Sequence, residues 1–247
     1  MAKEQLKNLL VKRDLVSCTD DATRLILARE VKVNDTFVTS PSVLVDVNAQ
    51  IEIKQTCAYV SRGGVKLKAA INAFCIDVRA KNCLDIGAST GGFSDCLLQE
   101  GAGRVACVDV NYGQLAWKIR TDERTDVFER TNIKKADPET LGAPFDIIVI
   151  DVSFIGLAQL APVIACFCYN FNDAKNTELV ALIKPEYEAE PSEIEGGKVS
   201  DETVHKRTIN EVKTALQSQD FEVIDVMESP IKGKKKGNKE FLLYAKH

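Results

Sequence analysis

The sequence has few of the residues and patterns that mark a metalloprotein or a membrane protein. Its only histidines are His205 and His247, and none of its eight cysteines falls in a C-x-x-C pair. No metal centre is expected from such a set. No segment offers about 18 consecutive apolar residues, the length a membrane-spanning helix requires. Met1-Ala2-Lys3-Glu4-Gln5 carries charge and lacks the apolar core of a signal peptide. Net positive charge is missing as well. The formal charge is -4, so contact with nucleic acid must come from a local patch rather than an overall pull. The dinucleotide pattern G-x-G-x-x-G and the phosphate-loop Gly-Lys-Ser/Thr are both absent, so no pyrophosphate binder is implied.

Eight cysteines (18, 57, 75, 83, 96, 107, 166 and 168) are present, several inside apolar runs. They read as small buried hydrophobes of a reducing cytoplasm rather than as a disulfide framework. The remaining composition, 45% hydrophobic and 28% charged over 247 residues, suits one large or two modest soluble domains.

Residues 1–54 read as a small α+β unit. Leu6, Leu9 and Leu10 recur at helical spacing, and Thr19 or Asp20 is a candidate N-cap for a helix carrying Ala22, Leu25, Ile26 and Leu27. Strand-like runs follow at 31–35, 43–46 and 51–53, with Asn34-Asp35 as a turn. Residues 55–60 serve as the linker to a second domain at 61–247. There the pattern alternates: a helix over 65–74, strands at 82–86, 104–109, 126–130, 145–151 and 178–184, and a helix over 201–219. Two final strands, 221–227 and 240–246, flank a lysine-rich loop as an antiparallel hairpin. This is a doubly wound, Rossmann-like α/β design, and no internal repeat is visible.

The chemistry concentrates at strand ends. Leu84-Asp85-Ile86-Gly87-Ala88-Ser89-Thr90-Gly91-Gly92-Phe93 reads as strand, tight turn and helix start, where small residues let a ligand approach the backbone. The next strand ends in Asp109, positioned to accept ribose hydroxyls. Acidic Asp85 and Asp109 around a glycine turn fit a ligand with a cationic end and a ribose, which S-adenosylmethionine has. Asp151 and Lys184 end two further strands, at the carboxyl edge where open sheets bind ligands. Each adjoins an apolar run, so a lysine there can engage a hydroxyl nucleophile. Ser61-Arg62-Gly63-Gly64-Val65-Lys66-Leu67 reads as a flexible turn that puts two cations at a helix start, against the helix dipole and suited to a partner. Lys232 to Lys239 forms a local positive loop, either a solvated hairpin tip or a phosphate contact. Asp20-Asp21, Trp117, His205 and the run 186–195 read as surface or core.

The stretches 59–67, 84–93, 108–115, 129–132 (Glu-Arg-Thr-Asn), 150–154 (Ile-Asp-Val-Ser-Phe) and 182–185 (Leu-Ile-Lys-Pro) together resemble the TlyA family. These are ribosomal RNA 2′-O-methyltransferases that also carry the label haemolysin. The resemblance implies an S-four-like RNA-binding domain (named for a ribosomal small-subunit protein) ahead of an FtsJ-like, S-adenosylmethionine-dependent methyltransferase domain. It implies methyl transfer to a cytidine ribose hydroxyl of 16S and/or 23S ribosomal RNA, in ribosomal subunits or the 70S ribosome. Its Lys-Asp-Lys-Glu set falls on Lys66, Asp151, Lys184 and Glu240. Asp85, Gly87, Ser89, Gly91, Gly92, Phe93, Asp109 and Asn132 would line the cofactor site.

One departure concerns the N-terminal module. Relatives carry a basic Ser-Arg pair where this chain has Ser17-Cys18-Thr19-Asp20-Asp21, and residues 1–60 hold eight Lys/Arg against eight Asp/Glu. RNA contact is therefore expected at Arg24, Arg29, Lys32, Arg62, Lys234, Lys235 and Lys236. Two other readings stand beside the enzyme. A pore-forming haemolysin would need an export signal and membrane segments, and an RNA-binding module with an inactive enzyme domain would not need all four tetrad positions filled.

Overall fold

The computed structural model describes every residue except 1, 14, 17, 54–57, 170–175 and 234–235. The chain divides into two compact units, Met1–Cys57 and Ala58–His247. The expected linker 55–60 lies partly outside the described residues; the change of unit falls within it.

The first unit runs β1 (Lys3–Gln5), α1 (Leu6–Lys12), α2 (Thr19–Leu27), β2 (Val31–Val33), β3 (Thr36–Phe37), β4 (Leu44–Asp46) and β5 (Ile51–Ile53). Leu6, Leu9 and Leu10 of α1 pack on Ala22, Leu25 and Ile26 of α2, so the helical spacing reads correctly as a shared apolar face. Asn34 and Asp35 both take positive φ (47° and 64°), the geometry of a tight hairpin turn between β2 and β3. Two expectations fail here. The expected strands at 31–35, 43–46 and 51–53 do not share one sheet but split into two, β1–β4 and β3–β2–β5, because β1 is an additional strand running straight into α1. The N-cap of α2 is Cys18, in extended conformation and without a side-chain cap. Thr19 is already helical, and Asp20 and Asp21 sit in the first turn, where carboxylates complement the dipole.

The second unit comprises α3 (Arg62–Phe74), β6 (Asn82–Ile86), α4 (Gly92–Gln99), β7 (Arg104–Val108), α5 (Trp117–Arg120), β8 (Thr125–Phe128), α6 (Pro138–Leu141), β9 (Ile147–Ile150), α7 (Ala161–Ala165), β10 (Glu178–Ile183), α8 (Pro185–Glu188), α9 (Glu202–Gln217), β11 (Glu222–Glu228) and β12 (Phe241–Lys246). Its sheet has the order β11-β12-β10-β9-β6-β7-β8. The five strands from β10 to β8 are parallel, and β12 runs antiparallel to both β10 and β11.

Alternate residues of the central strands enter two separate cores. Leu84, Ile86, Ile148, Ile150, Leu179 and Ala181 face the side covered by α7 and α9. Cys83, Ile147, Val149, Val180 and Leu182 face the side covered by α3 and α4. A sheet buried on both faces reads as a continuous apolar run, which is why these strands were visible in the sequence. Their ends were less so. The strand expected at 126–130 stops at Phe128, and Arg130 takes a positive φ of 53°.

The turn expected before residue 65 is helix. Ser61 caps α3 by accepting from the Gly63 N–H, and α3 starts at Arg62. The glycines there serve packing: a Cβ on Gly64 would sit 2.2 Å from the Tyr59 ring. Nor are all cysteines buried. Cys83, Cys96, Cys107 and Cys168 are, whereas Cys18, Cys75 and Cys166 are exposed. His205 belongs to the core and Trp117 to the surface.

Candidate active site

Strand register assembles the site. Ile86 pairs with both Val108 and Ile150, so the residues that follow, Gly87, Asp109 and Asp151, emerge side by side at the carboxyl edge of the sheet. Ile183 pairs with Phe241 across the antiparallel join of β10 and β12, which sets Lys184 opposite Glu240. Glu240 thus precedes β12 rather than starting it. Lys66 arrives on the buried face of α3.

Two short ion pairs result. Lys184 Nζ lies 2.6 Å from Asp151 Oδ1. It also donates to the Val152 carbonyl at 2.8 Å and to Ser153 Oγ at 3.1 Å, so its three N–H donors all have acceptors. Lys66 Nζ donates to Glu240 Oε2 at 2.5 Å, with the side chains only 9% and 4% exposed. Burial pushes the Glu240 carboxyl above its ordinary range. Lys66 opposes that shift, as does Lys184, while Asp151 reinforces it. The four charges expected to work together are therefore brought within electrostatic reach of one another.

The glycine turn is shaped for close approach. Gly87 takes a φ of +87°, and a Cβ there would meet the Asp151 carbonyl oxygen at 2.5 Å. Gly91, at +89°, caps α4. Beside the turn, a cavity is lined by Ala88, Ser89, Cys107, Asp109, Asn111, Gln114, Leu115, Val127 and Glu129. Asp109 is held by three donors: the Ser89 N–H at 2.7 Å, the Asn111 N–H at 2.7 Å and the Asn111 side-chain amide at 3.0 Å. Glu129 accepts from the Gly113 N–H and from Arg120, which together hold its carboxyl below the usual range. Asn111, Gln114 and Glu129 were not singled out from the sequence, although each stands in a stretch that carries the family resemblance.

Four expected cofactor contacts have other surroundings. Asp85 is fully buried on the α4 side of β6, where Ser94 Oγ donates to it at 2.5 Å. Burial raises its carboxyl to about 7, and its Oδ1 has no hydrogen-bond partner. Gly92 packs against α3, since a Cβ there would meet Ser61 Oγ at 2.1 Å. Phe93 is core. Asn132 is exposed and caps the turn at Ile133–Lys135 through the Lys134 N–H.

Of the expected RNA contacts, Arg24 is exposed and pairs with Asp21 at 3.3 Å. Arg29 is exposed with a positive φ of 59°. Lys32 sits 5.1 Å from the centroid of the Phe37 ring. Arg62, at the start of α3, and Lys236 are exposed. Lys234 and Lys235 lie outside the described residues. Among the described residues no helix is long and apolar enough to cross a membrane, and no cluster of His, Cys, Asp and Glu could hold a metal ion.

Residues 59–247 match the FtsJ-like methyltransferase family. The chain is 36% identical over 239 residues to the 16S/23S rRNA (cytidine-2′-O)-methyltransferase TlyA of Mycobacterium tuberculosis H37Rv, covering 95% of this chain and 87% of the relative. It is 40% identical over 226 residues to Hemolysin A of Brachyspira hyodysenteriae, covering 90% and 91%. A solved structure described as a hemolysin from Streptococcus thermophilus superposes with a TM-score of 0.75 at 34% identity, covering 100% of this chain and 89% of that one.

Proposed function

The chain belongs to the TlyA relatives among the FtsJ-like methyltransferases, and from that premise we propose that it methylates a cytidine 2′-hydroxyl of ribosomal RNA. The observation that carries the reading is the pair of lysine–carboxylate contacts, Lys184–Asp151 and Lys66–Glu240, at the sheet edge beside the glycine turn.

The cleft fits S-adenosylmethionine by the chemistry of its walls. Asp109 and Glu129 are acceptors suited to a ribose, the Gly87 turn leaves no room for a side chain, and Asp151 supplies negative charge of the kind a sulfonium would favour. Gly87, Ser89, Gly91 and Asp109 would hold the cofactor, which supplies an electrophilic methyl group when bound. Lys184 does the work on the acceptor. An incoming 2′-hydroxyl displaces Ser153, the longest of its three contacts and an exposed one. Lys184, having first released one of its own protons to solvent, takes the hydroxyl proton, and Asp151 stabilises the ammonium that re-forms. Lys66 and Glu240 complete the hydrogen-bonding frame around the ribose and hold it in line. Alignment of this kind supplies most of the rate when the leaving group is already good.

The first unit acts as the S-four-like RNA-binding domain, with Arg24, Arg29 and Lys32 contacting RNA alongside Arg62 and Lys234–Lys236 of the second. The substrate is RNA within ribosomal subunits or the 70S ribosome, which puts the work in the cytoplasm. The test is transfer of labelled methyl from S-adenosylmethionine to subunits from cells lacking the protein, with the modified nucleotide mapped by mass spectrometry. Label on a cytidine ribose is expected. Label on a base, or none on either subunit, overturns the reading.

A further inference from the structure

Glu240 reaches the site from a loop, not from a strand, and something must fix that loop. Its own backbone does part of this. The Ser229 N–H donates to the Glu240 carbonyl at 2.8 Å, and the Gly233 N–H to the Asn238 carbonyl at 2.9 Å. Lys239 adds ion pairs to Glu202 at 2.9 Å and Glu228 at 3.5 Å, and a buried tie comes from one further side chain. Asn238, only 4% exposed, spends both ends of its amide on a segment about forty residues away. Its Nδ2 donates to the Gly197 carbonyl at 3.1 Å, and its Oδ1 accepts from the Val199 N–H at 3.3 Å.

The receiving segment is itself built for this. Glu195 and Lys198 exchange two backbone hydrogen bonds of 2.9 Å around Gly196-Gly197, whose φ values of 57° and 81° make a tight hairpin turn. The Val199 carbonyl is held in turn by buried His205 Nε2 at 3.1 Å, and the His205 ring packs edge-on against Phe241, the residue after Glu240. The chain of contacts thus starts and ends on either side of Glu240.

We propose that Asn238 is a positioning residue for the reaction: it latches the chain just before Glu240 to the Gly196-Gly197 turn and so holds Glu240 against Lys66. This rests on the reading that Glu240 serves methyl transfer. A side-chain amide suits the task because it donates and accepts at once. A carboxylate lacks the donor for the Gly197 carbonyl, and a hydroxyl has to meet both partners through a single oxygen. Releasing it lets Glu240 drift, and a displacement near 1 Å at a reacting centre can cost about 100-fold in rate.

The experiment is a double-mutant cycle read by single-turnover transfer of labelled methyl to ribosomal subunits, using Asn238→Ala, Glu240→Ala and the double variant of the full chain. Asn238→Ala is expected to lower the rate about 10- to 100-fold, leave calorimetric affinity for S-adenosylmethionine unchanged, and have no further effect in the Glu240→Ala background. Amide exchange at Val199 should speed up by at least about tenfold, since its acceptor is gone. Should Asn238→Ala not fold, Asn238→Asp carries the test, because it keeps the acceptor for Val199 and sets a carboxylate against the Gly197 carbonyl. Wild-type rate in the Asn238 variant, or equal losses in both backgrounds, overturns the latch. Wild-type rate in Glu240→Ala is a different result: it removes the role of Glu240 and the latch with it.

Discussion

Replacing Lys66 by methionine removes, among the described residues, the only cation paired with a carboxylate that is 3% exposed. Breaking a buried ion pair from one side costs about 3–5 kcal/mol, because the remaining charge keeps its desolvation penalty and loses its partner. Glu240 has one escape, which is to bind a proton. Burial already raises its carboxyl above the ordinary 4.5, with Lys66 as the largest opposing influence, so the variant raises it further. The sign follows. A carboxyl raised in the folded state contributes stability that is complete below its unfolded value and is lost as pH rises through the folded one. Lys66→Met should therefore approach wild-type stability near pH 4.5 and fall away above it, by up to about 1.4 kcal/mol per pH unit. For a domain of this size about 1 kcal/mol moves the melting midpoint by 2–4 °C, so the deficit near pH 8 should reach about 6–20 °C.

Scanning calorimetry of wild type, Lys66→Met and Lys66→Met/Glu240→Leu from pH 5 to 8 reads this out. The double variant should regain most of the midpoint and lose the added slope, since an apolar pair can replace a buried ion pair at little cost. It should still transfer no methyl. A Lys66→Met midpoint within 2 °C of wild type at pH 8 would refute the buried pair. Methyl transfer by the double variant would refute its use in the reaction.

Three further outcomes follow from the same site. Lys184→Ala should abolish transfer while calorimetric binding of S-adenosylmethionine persists; wild-type activity sinks the proposed mechanism. Gly87→Ala must place a Cβ 2.5 Å from the Asp151 carbonyl at a φ of +87°, a strain of about 1–3 kcal/mol, and should weaken cofactor binding along with thermal stability; an unchanged dissociation constant counts against the turn as part of the cofactor cleft. Asp85→Asn removes a carboxyl raised by burial to about 7. That group favours the fold below its ordinary 3.8 and loses its contribution as pH rises through about 7, so the variant should show a flatter midpoint-versus-pH curve between 5 and 8. An unchanged curve would mean that Asp85 does not titrate in that range.

What the sequence conveyed well was whatever depends on local pattern and on parallel strand order. Asp151 and Lys184 could be placed together because each follows an apolar run, and parallel strands deliver their carboxyl ends to one edge. Lys66 and Glu240 stand 174 residues apart, and no period or spacing joins them. Only the family resemblance did. Their meeting depends on the antiparallel register of β12 with β10 and on which face of α3 is buried, both of them tertiary facts.

Direction was the other blind spot. In β6 every side chain after Asn82 is buried, so alternation could not tell whether Asp85 faced the ligand or α4, and it faces α4. Gly92 and Phe93, which the family resemblance assigns to the cofactor site, begin a helix, where Gly92 packs on α3 and Phe93 enters the core. Asn238 shows the limit most sharply. A polar residue in a lysine-rich hairpin loop reads as solvated tip, and nothing within ten residues reveals that its amide is buried against a turn near residue 197. In a site built at strand ends, the groups that carry charge announce themselves by interrupting apolar runs. Those that hold them in place are ordinary polar residues in loops, and only the packed structure distinguishes them from the surface.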